Sequence, residues 1–301
     1  MSNLRAIKDK INNVKSIKKI FTVMQLIAAS KMHKAQEDVN NSNKVISKIK
    51  DLVTRSTEGD ASILSQFSAA SHNSSKPKLY LVFCSDRGLC GNYNTILSRK
   101  VQENLSKDQN VRLIIIGNKL VTILSKRFGH LIDHEASKKF DDVRKDPTKL
   151  ADLLKLVIQM NKSGEISGCD VIYVFSKSAI SKKVEQVNFF DLGDLGKNSS
   201  KAILHSNEID DSSDKDLENN LYEPGKEKVV EYLIDYFLRA KLFNIFRNAY
   251  FSELASRMLA MDSASRNSSE IERNLTIFYN KTRQATITSD LIDIINGAEN
   301  V

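Results

Sequence analysis

Neither proline nor glycine occurs from Met1 to Glu58, and neither occurs from Lys226 to Asn296. Inside a helix glycine costs about 1 kcal/mol and proline about 3 kcal/mol relative to alanine, so both stretches are free to form single helices. All three prolines and ten of the eleven glycines fall between Gly59 and Gly225. The chain of 301 residues therefore reads as helix, globular middle, helix. At ~1.5 Å per residue the two end segments would run roughly 85 and 105 Å, far longer than an ordinary globular helix.

Each end segment carries an apolar stripe. In the first it passes through Leu4, Ile7, Ile11, Val14, Phe21, Met24, Ala28 and Ala35. These spacings of three, four and seven keep one face turned to a partner helix. The last segment opens at the turn signal Pro224-Gly225 with Val229, Val230, Leu233, Phe237, Leu242, Phe246 and Tyr250, too many for a narrow seam. That part is expected to pack on the globular middle as well. Farther on the stripe runs through Leu254, Met258, Met261, Ser265, Ser268, Ile271, Leu275 and Phe278, then through Ile287, Leu291, Ile294 and Ile295, with Gly297 as the expected stop. A helix with one narrow stripe draws its stability from packing. Because both ends have one, an antiparallel pair within the chain is expected rather than a parallel dimer between chains.

The middle alternates strand and helix. Residues 79–85, 111–117 and 170–176 are apolar runs of the kind buried in parallel sheets, and 184–190 reads as a fourth strand. Helical patterns lie near 93–106, 118–128 and 148–162. The fold class predicted is a long antiparallel coiled coil of N- and C-terminal helices plus a small Rossmann-like α/β domain with a largely parallel sheet. The divisions are 1–58, 77–193 and 224–301. Residues 56–76 read as a weakly structured link, and the acidic stretch 194–223 as a mobile loop.

The formal net charge is +8, and residues 1–36 hold eight basic residues against one acid, Asp9. Such a local excess suits an acidic partner surface, a nucleic acid or an anionic membrane, or simply a solvated helix face. The lysines are not interleaved with aromatic residues and no reading-head motif accompanies them, which weakens the nucleic-acid reading. No stretch approaches the ~20 apolar residues of a membrane span. The start lacks the apolar block of a signal peptide and the arginines of a transit peptide. Cys84, Cys90 and Cys169 form neither C-x-x-C nor a zinc set and read as small buried side chains in a reducing compartment.

Little in the chain looks catalytic. SDRGLCGNYN (85–94) follows a strand and opens a helix, where α/β folds bind phosphate. It matches neither nucleotide-binding glycine pattern, so the plainer reading is a tight turn eased by Gly88 and Gly91 and capped by Asp86 or Asn92. Asn118 is a candidate cap for the next helix, and Lys119 beside it says little. His130, His134 and Glu135 have metal-like spacing but no third ligand. No Ser/His/Asp set or carboxylate pair stands out.

Four strings carry a resemblance. AASKMHKAQ (28–36), SDRGLCGNYN (85–94), LASRMLAMDSAS (254–265) and YNKTRQATITSDLIDIINGA (279–298) are similar, in order, to segments of the gamma subunit family of F-type (rotary) ATP synthases, bacterial type. The resemblance covers the whole chain. The turn residues Asp86, Arg87, Gly88, Cys90 and Gly91 belong to the family motif. His33 stands where the family commonly has arginine or another basic residue, Asp290 where it usually has glutamate, and Asn300 where a small or basic residue is usual.

The resemblance implies a non-catalytic central-stalk rotor shaft that couples proton flow through the membrane ring to ATP synthesis and hydrolysis at beta-subunit sites. It implies as partners the alpha and beta subunits of the head, the epsilon subunit and the c-subunit ring, with membrane contact only through that ring. No cofactor would be bound directly, ATP, ADP and Mg being held by other subunits. The place would be peripheral, on the cytoplasmic face of the bacterial plasma (inner) membrane. Lys18, Lys19, Lys31 and Lys34 would meet acidic beta loops, with Met24 at a family contact position. Arg283 and Gln284 would engage a beta loop, and the apolar tail with Ile287, Leu291, Ile294 and Ile295 would turn in the bearing of the head. The rival reading is a basic coiled-coil adaptor or nucleic-acid-binding protein.

Overall fold

The computed structural model describes residues 2–57, 76–108, 110–144, 146–177, 181–192, 223 and 225–299. Of the link expected over 56–76, Ser56 and Thr57 belong to the first helix and 58–75 lie outside the described residues, as do residues 194–222 of the acidic loop expected over 194–223. Two long helices dominate: α1 (Ser2–Thr57), of 56 residues, and α6 (Lys226–Glu299), of 74. Gly297 does not stop α6, which continues to Glu299; one glycine costs a helix only about 1 kcal/mol. Between them come β1 (Lys78–Phe83), α2 (Tyr93–Lys107), β2 (Val111–Ile116), α3 (Asn118–Phe128), α4 (His134–Lys139), α5 (Lys149–Lys162), β3 (Cys169–Ser176) and β4 (Lys182–Asn188), with short 3-10 turns at Gly129–Leu131 and Asp141–Arg144.

The chain forms two compact units, and each long helix contributes to both. One unit is His33–Gly88 with Asn92–Glu253. Its sheet has the order β2-β1-β3-β4. β1 pairs in parallel with β2 (Leu79 opposite Arg112) and with β3 (Leu79 opposite Cys169), whereas β4 is an antiparallel edge (Val171 opposite Val187). β1 and β2 are buried almost throughout, as parallel strands covered on both faces must be, and β4 alternates half-buried and exposed. One sheet face, with Leu79, Leu81, Phe83, Ile114, Ile116 and Val171, shares a core with α5, with Ile49 and Val53 of α1, and with Val230, Ile234, Leu242 and Ile245 of α6. Within this unit α1 and α6 run antiparallel: Asn244 Nδ2 donates to Asn43 Oδ1 at 2.7 Å, and Arg247 donates to the Asp38 carbonyl at 3.5 Å.

The other unit is Met1–Met32 with Leu89–Gly91 and Leu254–Val301. Here α1 and α6 pair through a narrow seam. On α1 the residues withdrawn from solvent are Leu4, Ile7, Ile11, Val14, Lys18, Phe21, Met24, Gln25, Ala28, Ala29 and Met32. On α6 every residue from Leu254 to Asp262 is buried or half-buried; beyond it Ala264, Ser265, Ser268 and Ser269 are withdrawn, and then the seam narrows to Glu272, Leu275, Tyr279, Thr282 and Thr286, in strides of three and four. Ile271 and Phe278, expected in this stripe, are instead 50% and 54% exposed. The rhythm after Ser268 reaches Glu272 and Tyr279, and polarity does not bar Glu272 because lysines of α1 meet its carboxylate.

Candidate functional site

The centre of the helix pair is polar. Gln25 Nε2 donates to Asp262 Oδ1 at 3.0 Å, and the Thr22 and Ser265 hydroxyls lie 3.2 Å apart. Lys18 Nζ is 3.3 Å from one Glu272 oxygen, and Lys15 Nζ is 3.9 Å from the other. Ser268 is buried and returns its hydroxyl to the Ala264 carbonyl at 2.8 Å. The partners rise along α1 while they fall along α6, so the pair is antiparallel. Polar groups at seam positions fix register at some expense of stability, because each side chain is satisfied at one offset only.

The sequence-derived contact residues separate into inner and outer groups. Lys18 and Met24 are half-buried in the seam, whereas Lys19, Lys31 and Lys34 are exposed. Arg283 and Gln284 are exposed on α6, one turn before the seam ends at Thr286. Every residue from Ile287 to Asn296 is exposed, including the large apolar Ile287, Leu291, Ile294 and Ile295. Sequence reasoning missed a second outer group on α1: Ile17, Ile20, Val23, Leu26 and Ile27 are 45–65% exposed. The signal was present, since five large apolar residues in eleven positions have no place on a seam of this stride.

The turn after β1 is held by its own polar groups. Asn94 Nδ2 donates to Ser85 Oγ at 2.6 Å, the Ser85 amide donates to Asn94 Oδ1 at 3.3 Å, and Ser85 Oγ donates to the Arg87 carbonyl at 2.9 Å. Asn92 sits at the α2 N-cap without a capping side-chain bond, and Asp86 faces Arg144, so neither takes the cap role expected of it. The left-handed positions are Leu89 (φ 63) and Gly91 (φ 59), not Gly88. A Cβ on Gly91 would stand 3.6 Å from that of Ala260, an ordinary contact, so it is the left-handed φ rather than lack of space that favours glycine there. Arg87 is exposed, Gly88 half-buried and Cys90 buried. Asn118 is the first residue of α3, and Gly117, not Asn118, is its cap.

Beside this turn is a buried ionic cluster. Arg144 Nη1 lies 2.7 Å from Glu253 Oε2 and 3.3 Å from Asp86 Oδ2, and its Nη2 donates to the Cys84 carbonyl. Burial alone would lower the Arg144 pKa, but the Glu253 and Asp86 carboxylates hold it above the usual value. Burial pushes the Cys84 thiol up to about 12. His130 lies in a 3-10 turn and His134 begins α4. Among the described residues no group of three or more His, Cys, Asp or Glu side chains is placed to hold a metal ion. Among them, too, no helix is long and apolar enough to cross a membrane.

A two-helix antiparallel coil joined in sequence to a four-stranded α/β sheet, with polar side chains setting register in the one and closing the turn after β1 in the other, defines a coiled-coil protein with an α/β domain inserted between its helices. The sequence profile of the family described as ATP synthase matches residues 3–301. The chain is 30% identical to the ATP synthase gamma chain of Wolbachia sp. subsp. Brugia malayi, over 100% of both chains. It is 29% identical to that of Bartonella bacilliformis, over 99% of both. The fold is similar to a chain in the cryo-EM structure of the Euglena gracilis mitochondrial ATP synthase OSCP/F1/c-ring assembly in rotational state 3, with a TM-score of 0.61, 18% identity and coverage of 98% of this chain and 93% of that one. It is also similar to a chain of the rotor of the same synthase in rotational state 1, with a TM-score of 0.58, 17% identity and coverage of 95% and 99%. The chain belongs to the gamma-chain family of the F-type ATP synthases.

Proposed function

We propose that the chain works as the central rotor shaft of an F-type ATP synthase and performs no chemistry itself. The observation that carries this reading is the helix pair of the Met1–Met32 and Leu254–Val301 unit, which has a completed seam inside and exposed large apolar residues outside. Ile17, Ile20, Val23, Leu26 and Ile27 on α1, and Ile287, Leu291, Ile294 and Ile295 on α6, gain nothing by facing water. A sleeve of alpha and beta subunits gives them a surface to touch. Lys19, Lys31 and Lys34 then meet acidic beta loops, Arg283 and Gln284 meet a beta loop near the end of the shaft, and the tail turns in the apolar bearing. The α/β unit rests on the c-subunit ring beside epsilon, on the cytoplasmic face of the membrane, and ATP, ADP and Mg stay with the catalytic subunits.

The physical demand on such a shaft is definite. To move a beta site from nearly all open to nearly all closed, one orientation must favour the closed state by ~5.5 kcal/mol over the other. Different sides of the pair must therefore make different contacts, and here one side presents apolar α1 residues and another the seam-edge ion pairs. Purification of the native assembly from its membrane tests the reading. It predicts co-purifying catalytic subunits with ATPase activity, and a chain recovered alone and bound to nucleic acid would refute it. Arg283→Ala with Gln284→Ala should impair coupled synthesis while leaving the helicity of the chain intact.

A further inference from the structure

Arg144 occupies a position that stability alone does not explain. It ends the 3-10 turn Asp141–Arg144, which is anchored by the buried Phe140 and Val143. From there its side chain, 16% exposed, reaches two places that are remote in sequence. One is the C-terminal end of β1, through the Cys84 carbonyl and the Asp86 carboxylate. The other is α6, through Glu253, whose side chain is 3% exposed. Burying a carboxylate and a guanidinium costs several kcal/mol per ion, and well-packed apolar residues of similar volume often serve stability as well or better. A planar guanidinium holding a carbonyl and two carboxylates at once adds a fixed direction, which apolar packing does not supply. The contacts nearby are less directional: the Tyr93 hydroxyl donates to the Ala249 carbonyl at 3.3 Å, and the Phe83 and Phe246 rings stand 5.8 Å apart.

We propose that Arg144 is the angular key of α6: with Asp86 and Glu253 it fixes the rotation of that helix about its own axis against the end of β1, so that a turning force on the α/β sheet is delivered to α6 without slip. This rests on the rotor reading above. Arg144 touches no substrate and acts as a positioning residue, by holding Glu253.

The test uses the whole synthase in membrane vesicles carrying Arg144→Met or Arg144→Lys. ATP hydrolysis and ion pumping are measured together and expressed per assembled complex. A severalfold fall in ions pumped per ATP is expected for Arg144→Met. A smaller fall is expected for Arg144→Lys, which keeps the charge but loses the fork. A purely structural role would reduce the amount of assembled complex and leave that ratio untouched, and an unchanged ratio in assembled Arg144→Met complexes overturns the proposal. If Arg144→Met does not assemble, Arg144→Lys decides alone, and a wild-type ratio there overturns the proposal. Failure of the rotor reading is distinct, because the unaltered chain would then not be recovered in an ATP-hydrolysing complex.

Discussion

The Cys84 thiol donates to the carbonyl of Gly117 at 3.0 Å, so the ends of β1 and β2 meet backbone to side chain with no room between them. A methyl group on Gly117 would strike the Cys84 carbonyl oxygen and stand 2.8 Å from its Sγ, at a φ of 113° that other residues avoid. Gly117→Ala therefore combines a steric clash with backbone strain and should cost about 3 kcal/mol or more. Chemical denaturation of the full chain, followed by circular dichroism, measures it. A loss within experimental error of zero would show that the strand ends can part.

Acid sensitivity should centre on Asp133. It caps α4 by accepting the Ala136 amide at 2.9 Å and receives Arg112 Nη2 at 2.6 Å. Burial is the largest single influence and raises its pKa, but these hydrogen bonds and the Arg112 charge together bring it below the ordinary 3.8. The stability from a lowered carboxylate pKa is fully present above the unfolded value and is lost as pH falls through the folded one. Asp133→Asn keeps a capping oxygen and loses the charge. Its deficit should be about 1 kcal/mol at pH 7, discounted for the part-exposed Arg112. Denaturation curves at pH 7 and pH 3 should show that deficit shrinking in acid, and a deficit that grows would refute the assignment.

The polar centre of the helix pair should trade stability for register. Gln25→Leu with Asp262→Leu is expected to raise the thermal midpoint, since apolar replacement of a partly buried polar pair gains about 1 kcal/mol. It should also permit slippage. Cysteines introduced at Val14 and Leu275 in that background would report it, as new disulfide partners for one or both. A single cross-linking pattern in the variant would show that register is set elsewhere.

The three native cysteines should be silent. Cys84, Cys90 and Cys169 are at most 2% exposed, and burial raises the pKa of Cys84 and Cys169. Alkylation at pH 8 followed by mass spectrometry should find no label on the folded chain and three on the unfolded one. Rapid native labelling at Cys90 would contradict the packing of the turn.

How much of this was legible beforehand follows from what each signal depends on. The four strands and the three longer helices of the middle were readable to within a residue or two because apolar runs and glycine punctuation are local, whereas the six-residue α4, too short to show a helical period, was not. The antiparallel edge placement of β4 was less accessible, since it depends on which strand has a free neighbour. The seam was read where it is apolar and at Ser265 and Ser268, which continue the apolar stripe, but not at its charged positions. Lys18 and Glu272 are seam residues whose polarity hides them from a pattern search, while Ile271 and Phe278 are apolar residues that the stride passes by. Arg144 was invisible because its partners lie about sixty residues before it and a hundred after, and no spacing rule connects them.

The stride of the helix pair has a mechanical consequence. Seam positions averaging 3.5 residues per turn oblige two α-helices to wind around each other left-handedly. A wound pair does not answer the two senses of twist alike. One sense draws the strands closer and presses Ile7, Ile11 and Ala28 harder into the seam, and the opposite sense loosens them. The register bonds of Gln25 and Lys18 are then what resists unwinding, so the pair is stiffer in one direction of rotation than in the other.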